Sequence, residues 1–147
     1  MVDEGAFLEA LAEDPDDDAT RLVYADWLEE HGAADRALYL RTECELAALP
    51  GEGERRTSRQ CGQALLLRFR LAQLRKGLDP AWLGSAGKRY DVVVLRAGVP
   101  GVVARGLPWP EAERFRRQVL TGAAGHAGLL RPGSVELRLS RPGRGGR

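Results

Sequence analysis

The spacing of apolar residues changes once along this chain, at the glycine-rich segment of residues 84–87, and this change constrains the fold more than any other feature. Before the segment, apolar residues recur every three or four positions, which is typical of helices that bury one face. After it, residues 90–95 are rich in β-branched side chains and residues 134–140 alternate between apolar and polar, as strands do. We therefore predict an α+β protein, with a bundle of three to four helices over residues 3–84 and a small β-β-α-β unit over residues 88–140.

Turn signals divide the first half of the chain into separate helices. The helical patterns cover residues 3–13, the stretch from the aspartate cluster at 16–18 to Gly32, residues 34–49, residues 57–76 and, as one short turn, residues 79–83. The aspartates can accept hydrogen bonds from the free N–H groups of the second helix, so we interpret them as its cap. We expect Trp82, in the last short turn, to pack against the bundle.

The second helix is predicted to be the central one, because its apolar face is wide. This face contains Leu22, Val23, Trp27 and Leu28, together with Tyr24 and Ala25. Asp26 stands beside that face, where a carboxylate requires a cation or a backbone donor to offset its desolvation. We predict that Arg36 or Arg41, from the following helix, holds it.

The second half reads as strands around one helix. Residues 90–95 predict an inner strand, because both faces are apolar except at Asp91. Residues 99–101 (Val-Pro-Gly) predict a turn, after which residues 102–104 return as a second strand. The basic tail, residues 141–147, is expected to be disordered.

Charge is unevenly distributed along the chain. The net charge is +1, but residues 1–35 hold 12 acidic side chains and one arginine, a net of −11, so the remainder carries +12. Such a division indicates an electrostatic match within one chain, with the acidic part docked on the basic fourth helix, or two surfaces for different partners, or simply a surface of mixed charge.

The chain lacks the signals of a membrane or secreted protein. No apolar run is long enough to span a bilayer, and the first residues do not resemble a secretory signal, so we expect a cytoplasmic protein. Cys44 and Cys61 fall in different predicted helices without metal-ligand spacing. We expect both to be reduced and packed in the core.

The acidic, apolar second helix and its surroundings resemble a known family. The residues that carry the resemblance are Phe7-Leu8, the aspartates of residues 14–18, the string Arg-Leu-Val-Tyr-Ala-Asp-Trp-Leu-Glu-Glu at 21–30, Arg36 and residues 39–41 (Tyr-Leu-Arg). Over about residues 5–48, the chain is similar to the repeat-companion domain, a short bacterial module of planctomycete and myxobacterial proteins. Because that family has no established activity, the resemblance implies a helical fold and a role in interactions rather than a reaction.

Residues 88–140 bear a fainter resemblance to the C-terminal domain of the ribosomal stalk protein, which docks translational GTPases. The resemblance lies in residues 90–95 (Tyr-Asp-Val-Val-Val-Leu) and residues 111–114 (Glu-Ala-Glu-Arg). The glycine- and leucine-rich helix pair that forms the factor-binding face of the stalk domain has no counterpart here, so the resemblance implies a ribosome-associated role only weakly.

The sequence contains no pattern typical of catalysis. His31 and His126 stand outside any motif with serine or cysteine, and Ser134 and Ser140 lack a nucleophile elbow. The aspartates of residues 14–18 lack the turn glycine and the bidentate glutamate of a calcium loop, so capping is the preferred interpretation. We expect no enzyme, no metal and no cofactor.

Two kinds of partner remain. The leading prediction is a non-catalytic adaptor that binds another, unidentified protein; a homodimer through open sheet edges is a further arrangement. The residues predicted to be structural or to contact the partner are Asp16, Asp18, Arg21, Tyr24, Asp26, Trp27, Arg36 and Arg41. The alternative is a nucleic-acid- or ribosome-associated protein that uses the Arg-Gly tail and the fourth helix, through Arg68, Arg70, Arg75 and Lys76.

Overall fold

The computed structural model describes residues 2–122 and 134–141. His126 and residues 142–147 of the basic tail lie outside the described residues. The chain divides into two compact units, Met1–Gly87 and Lys88–Arg147. The predicted α+β fold is confirmed: helices precede a β-β-α-β arrangement that contains a three-stranded antiparallel sheet.

The elements follow one another in the predicted order. The first unit contains α1 (Glu4–Glu13), α2 (Asp18–Glu30), α3 (Ala34–Ala48), α4 (Ser58–Arg75) and α5 (Pro80–Ala86). The second unit contains β1 (Arg89–Arg96), β2 (Val99–Pro108), α6 (Trp109–Leu120) and β3 (Val135–Leu139). In the first unit, α3 packs against both α2 and α4.

Side chains at the helix starts satisfy the free N–H groups that every helix leaves there. Asp17 caps α2 and Asp79 caps α5, with Pro80 in the first turn. Thr57 and Gln60 form a reciprocal capping box at the start of α4. Each helix in this group therefore begins where its polar residue stands.

Gly32 ends α2 in a left-handed conformation, with φ +80°. Its N–H donates to the carbonyl of Glu29 over 3.2 Å, and the N–H of Ala33 donates to the carbonyl of Leu28 over 2.8 Å. This pair of bonds is the Schellman ending, which favours glycine at that position.

The buried face of α2 differs from the predicted one. Leu22 and Val23 are 42% and 58% exposed, whereas Arg21, Tyr24, Ala25 and Leu28 are buried. The buried residues follow the i, i+3, i+4, i+7 spacing of a single helical face. The prediction was right for Tyr24, Ala25 and Leu28 and wrong for Leu22 and Val23, and it did not include Arg21 in the buried face.

In the second unit, β1 lies between the other two strands, as predicted, in the order β2-β1-β3. Tyr90, Val92 and Val94, on one face of β1, share a core with Ala112 and Val119 of α6. The core of this unit therefore lies between the sheet and α6.

The turn between β1 and β2 was predicted at residues 99–101 (Val-Pro-Gly), and this prediction was wrong. The turn consists of Ala97 and Gly98, because Arg96 pairs directly with Val99. Both turn residues have positive φ, 50° and 77°. Two-residue hairpins of this type match the right-handed twist of the strands, and Pro100 is accommodated within the edge strand β2.

Candidate functional site

The aspartate cluster divides its roles among its members. Asp17 accepts hydrogen bonds from the N–H and the hydroxyl of Thr20, which hold the pKa of its carboxyl below the usual value. Asp18 pairs with Arg21, and the exposed Asp16 donates its N–H to Asp14 Oδ1 over 3.1 Å. Within residues 2–122 and 134–141, no group of three or more His, Cys, Asp or Glu side chains is arranged to hold a metal ion.

Arg21 is completely buried and ties distant parts of the first unit together. Its Nε donates to the carbonyl of Ala86 in α5 over 3.2 Å, and its Nη2 donates to the carbonyl of Pro15 over 2.8 Å. Its Nη1 lies 3.3 Å from Asp18 Oδ1. Arg21 was a candidate for partner contact, but its burial gives it a structural role.

Tyr24 connects three helices around its buried hydroxyl. The hydroxyl donates to Glu4 Oε1 over 2.6 Å and accepts from Trp82 Nε1 over 3.0 Å. Burial and the bond to Glu4 raise the pKa of Tyr24 above its usual range. The Arg36 guanidinium lies 5.2 Å from the centre of the Trp82 ring, and its Nη1 lies 3.3 Å from Glu4 Oε1. The predicted packing of Trp82 on the bundle is therefore confirmed by its contacts with Tyr24 and Arg36.

A second polar cluster joins α3 to α4. Tyr39 is buried, donates its hydroxyl to the buried Glu43 over 3.3 Å, and accepts from Arg75 Nε over 3.2 Å. The Arg75 guanidinium also lies 5.6 Å from the Tyr39 ring. Gly87 lies against this cluster, where a Cβ atom would come within 3.3 Å of Glu43 Oε1.

Asp26 pairs with Arg41, as predicted, but its side chain is exposed. Arg41 Nη2 lies 2.7 Å from Asp26 Oδ1 and 2.7 Å from Glu29 Oε2. The Asp26 side chain is 70% exposed, so the desolvation argument for the pair was wrong. Nearby, the half-buried Trp27 stacks on His31, with ring centroids 3.9 Å apart.

The residues that carry the family resemblance therefore act mainly inside the unit. Arg21, Tyr24 and Arg36 attach α5 to the other helices, and Arg41 links α3 to α2. Leu22, Val23 and the acidic residues of the same string remain exposed.

The sequence prediction missed a surface on α4. Leu65, Leu66 and Phe69 are 70%, 71% and 64% exposed, whereas Ala64, Leu67 and Leu71 form the buried stripe of the helix. At 100° per residue, Phe69 points about 170° away from the centre of that stripe. The helix carries more apolar residues than one buried face can hold, and this excess was the signal in the sequence.

We call Leu65, Leu66 and Phe69, together with Gly62 and Gln73, the α4 outer face. Basic side chains flank this face. Residues 55–78 contain seven arginines and lysines and no acidic residue. On the helical wheel, Arg59 and Arg70 border one side of the face and Arg68 the other, with Lys76 near its C-terminal end.

The four predicted nucleic-acid contacts do not form one continuous surface. Arg75 packs on Tyr39, and Arg68 forms an ion pair with Glu52. Arg70 and Lys76 are exposed, and Lys76 Nζ donates to Gln73 Oε1 over 3.3 Å.

In the second unit, carboxylates serve the sheet and α6. Asp91 accepts hydrogen bonds from the N–H of Gly106 over 2.9 Å and from the hydroxyl of Ser140. Partial burial disfavours the charged form of Glu113, but hydrogen bonds from Arg116 and Arg117 outweigh it and hold its pKa below the usual value.

The remaining candidates for chemistry are His31 and the two cysteines. The Nδ1 atom of His31 lies 2.7 Å from the carbonyl oxygen of Trp27. Neither cysteine forms a disulfide; Cys44 is buried as predicted, whereas Cys61 is exposed on α4, so its predicted packing was wrong.

The comparisons with known proteins add no relative. No protein-family model, curated protein or solved structure matches the chain. The two family resemblances therefore remain predictions. Among the described residues, no helix combines the length and apolar character needed to cross a bilayer.

Proposed function

We propose that this protein is a non-catalytic docking module that binds another protein through the α4 outer face. The observation that supports this proposal is the exposure of Leu65, Leu66 and Phe69 on one face of a single well-capped helix. Grouped exposed apolar side chains with a polar border are typical of protein-protein contact sites.

The chemistry of the face favours a helical partner with acidic flanks. Leu65 and Phe69 are one turn apart, which is the spacing at which a helix presents apolar contacts to a second helix. Arg59 and Arg70 border the stripe, so the matching partner carries Asp or Glu beside its own apolar stripe.

A direct test uses a designed helical peptide of 18 residues, the length of α4, with a leucine stripe flanked by glutamates. We expect binding in a fluorescence anisotropy titration, and no binding of the same peptide with lysine flanks. The double variant L65Q/F69Q should bind at least about tenfold more weakly, because burying one large apolar side chain is worth roughly 1.5–3 kcal/mol.

Val99→Thr is a matched control, because Val99 is 67% exposed but lies in β2. It should bind the acidic peptide as well as the unchanged protein does. Equal binding of both peptides, or equal binding by L65Q/F69Q, would remove the proposal.

The absence of acidic residues over residues 55–78 favours nucleic acid as a second candidate partner. The apolar centre of the face argues against it, because phosphates contact cations rather than leucines. Titration with a single-stranded RNA at low salt decides between the two: tight, salt-sensitive binding that L65Q/F69Q leaves intact would support the nucleic-acid function instead.

A further inference from the structure

The outer side of α2 carries the opposite charge around a smaller apolar patch. Leu22 and Val23 are 42% and 58% exposed, and Asp26, Glu29 and Glu30 follow them within two turns. We call these five residues the α2 outer face. The one basic residue of α2, Arg21, is buried, so it contributes no charge to this face.

The α2 outer face has the chemistry that the α4 outer face requires of a partner. One presents apolar side chains with carboxylates, the other presents apolar side chains with arginines, and both lie on helices of more than ten residues. Arg41 offsets part of the acidic charge by pairing with Asp26 and Glu29, and the exposed Glu30 extends the acidic side of the face.

The two faces do not cover each other within one chain, since both remain exposed in the structure. Pairing α4 with α4 of another copy would bring Arg59 and Arg70 of the two copies close together, which like-charge repulsion disfavours. Pairing α2 of one copy with α4 of another brings opposite charges together.

We infer that a second copy of this chain occupies the α4 outer face, with the α2 outer face of one copy on α4 of the next. This inference rests on the proposed docking function and names its partner. Because the contact joins two different surfaces, it is heterologous and extends into short chains or closes into rings.

The mass in solution is the first test. Sedimentation or light scattering should give a mass above the 16.1 kDa of one chain at low salt. The mass should fall towards one chain as added salt screens the charges, at roughly 1 M. A mass of one chain at every protein concentration and salt concentration would overturn the inference.

Two single variants test the head-to-tail arrangement. Val23→Lys places a cation on the α2 outer face, and Phe69→Glu places a carboxylate on the α4 outer face; both positions are more than half exposed. Each variant alone should have the mass of one chain. An equal mixture should have the mass of two chains, because only one intact contact remains between them.

Every other outcome counts against the inference. If Val23→Lys stays associated, or if the mixture stays monomeric, the contact does not join α2 to α4. Circular dichroism verifies the fold of each variant, and Glu30→Lys with Leu65→Glu provides a second pair.

The acidic peptide separates this inference from the proposed function. If the unchanged protein is monomeric but binds the peptide, the second copy is excluded and the docking function stands. If the peptide does not bind and the protein is monomeric, both proposals fail.

Discussion

The side chain of Arg21 supplies hydrogen-bond donors to two backbone carbonyls, that of Pro15 in the turn before α2 and that of Ala86 in α5. The carbonyl of Ala86 is buried, so it cannot turn to water when its donor is lost. Arg21 thereby helps to hold α5 in the first unit, together with Tyr24 and Arg36.

We predict that Arg21→Met lowers the free energy of unfolding by roughly 1–3 kcal/mol for each carbonyl left without a donor. Urea unfolding followed by circular dichroism measures the loss. Arg41→Met serves as the control, because its partners Asp26 and Glu29 are exposed and such pairs contribute about 0–1 kcal/mol. Equal losses in the two variants would contradict the structural role of Arg21.

Glu113 gives the second unit a defined response to acid. Its folded-state pKa lies below the usual 4.5, so the unfolded chain binds its proton more readily than the folded chain does. The contribution of Glu113 is therefore present at neutral pH and is lost as the pH falls below about 4.5.

We predict that Glu113→Gln weakens the protection of β1 amides from hydrogen exchange at neutral pH and reduces the difference between pH 7 and pH 4. Glu111→Gln, exposed on the same helix, is the control and should leave both the protection and its pH dependence unchanged. Identical pH profiles for Glu113→Gln and the unchanged protein would contradict the assignment.

At the scale of elements, the sequence predicted helices and strands correctly where the spacing of apolar residues and the capping residues agreed. The starts of α2, α4 and α5 fell close to their predicted places, because Asp17, Thr57 and Asp79 mark them, whereas α5 continues to Ala86, past the predicted end at residue 83. These signals are local, so they survive in the folded chain.

Which face of a helix is buried depends on contacts with other elements, and the spacing of apolar residues in the sequence does not show these contacts. Arg21 is buried because α5 and the Pro15 turn offer acceptors, and no local pattern announces those acceptors. The same limit hid the candidate site: the period of α4 fits several apolar faces, and only packing on α3 decides that Leu67 is inside and Phe69 outside.

The hairpin between β1 and β2 gives a prediction for an element. Ala97 has φ 50°, which costs a residue with a Cβ atom more than glycine. We predict that Ala97→Gly stabilises the protein by about 0.4–1 kcal/mol, and that Gly98→Ala destabilises it by at least as much. Thermal unfolding of the two variants side by side checks the opposite signs; a shift in the same direction for both would place the turn elsewhere.

At the scale of the whole molecule, part of the charge division is resolved inside the first unit. Acidic residues of α1 and α2 pair with arginines of α3, through Glu4 with Arg36 and through Asp26 and Glu29 with Arg41. The electrostatic match within one chain is thus partly realised, and it involves α3.

The attachment of α5 predicts where the chain can be cut. We expect residues 1–87 alone to fold and unfold cooperatively, because this unit has its own core. Residues 1–78 alone should be severely destabilised, because Arg21 loses Ala86, and Tyr24 and Arg36 lose Trp82. Circular dichroism and thermal unfolding of the two fragments make the comparison; equal stability would contradict the role of α5.

The exposed thiol of Cys61 allows binding at the α4 outer face to be measured with a label attached beside it. Cys61 lies one turn before Leu65 on α4, while the second cysteine, Cys44, is buried. A maleimide reagent should therefore modify the native protein once, beside the apolar stripe. A fluorophore attached there would report in real time whether any molecule lies along α4, without changing a single amino acid.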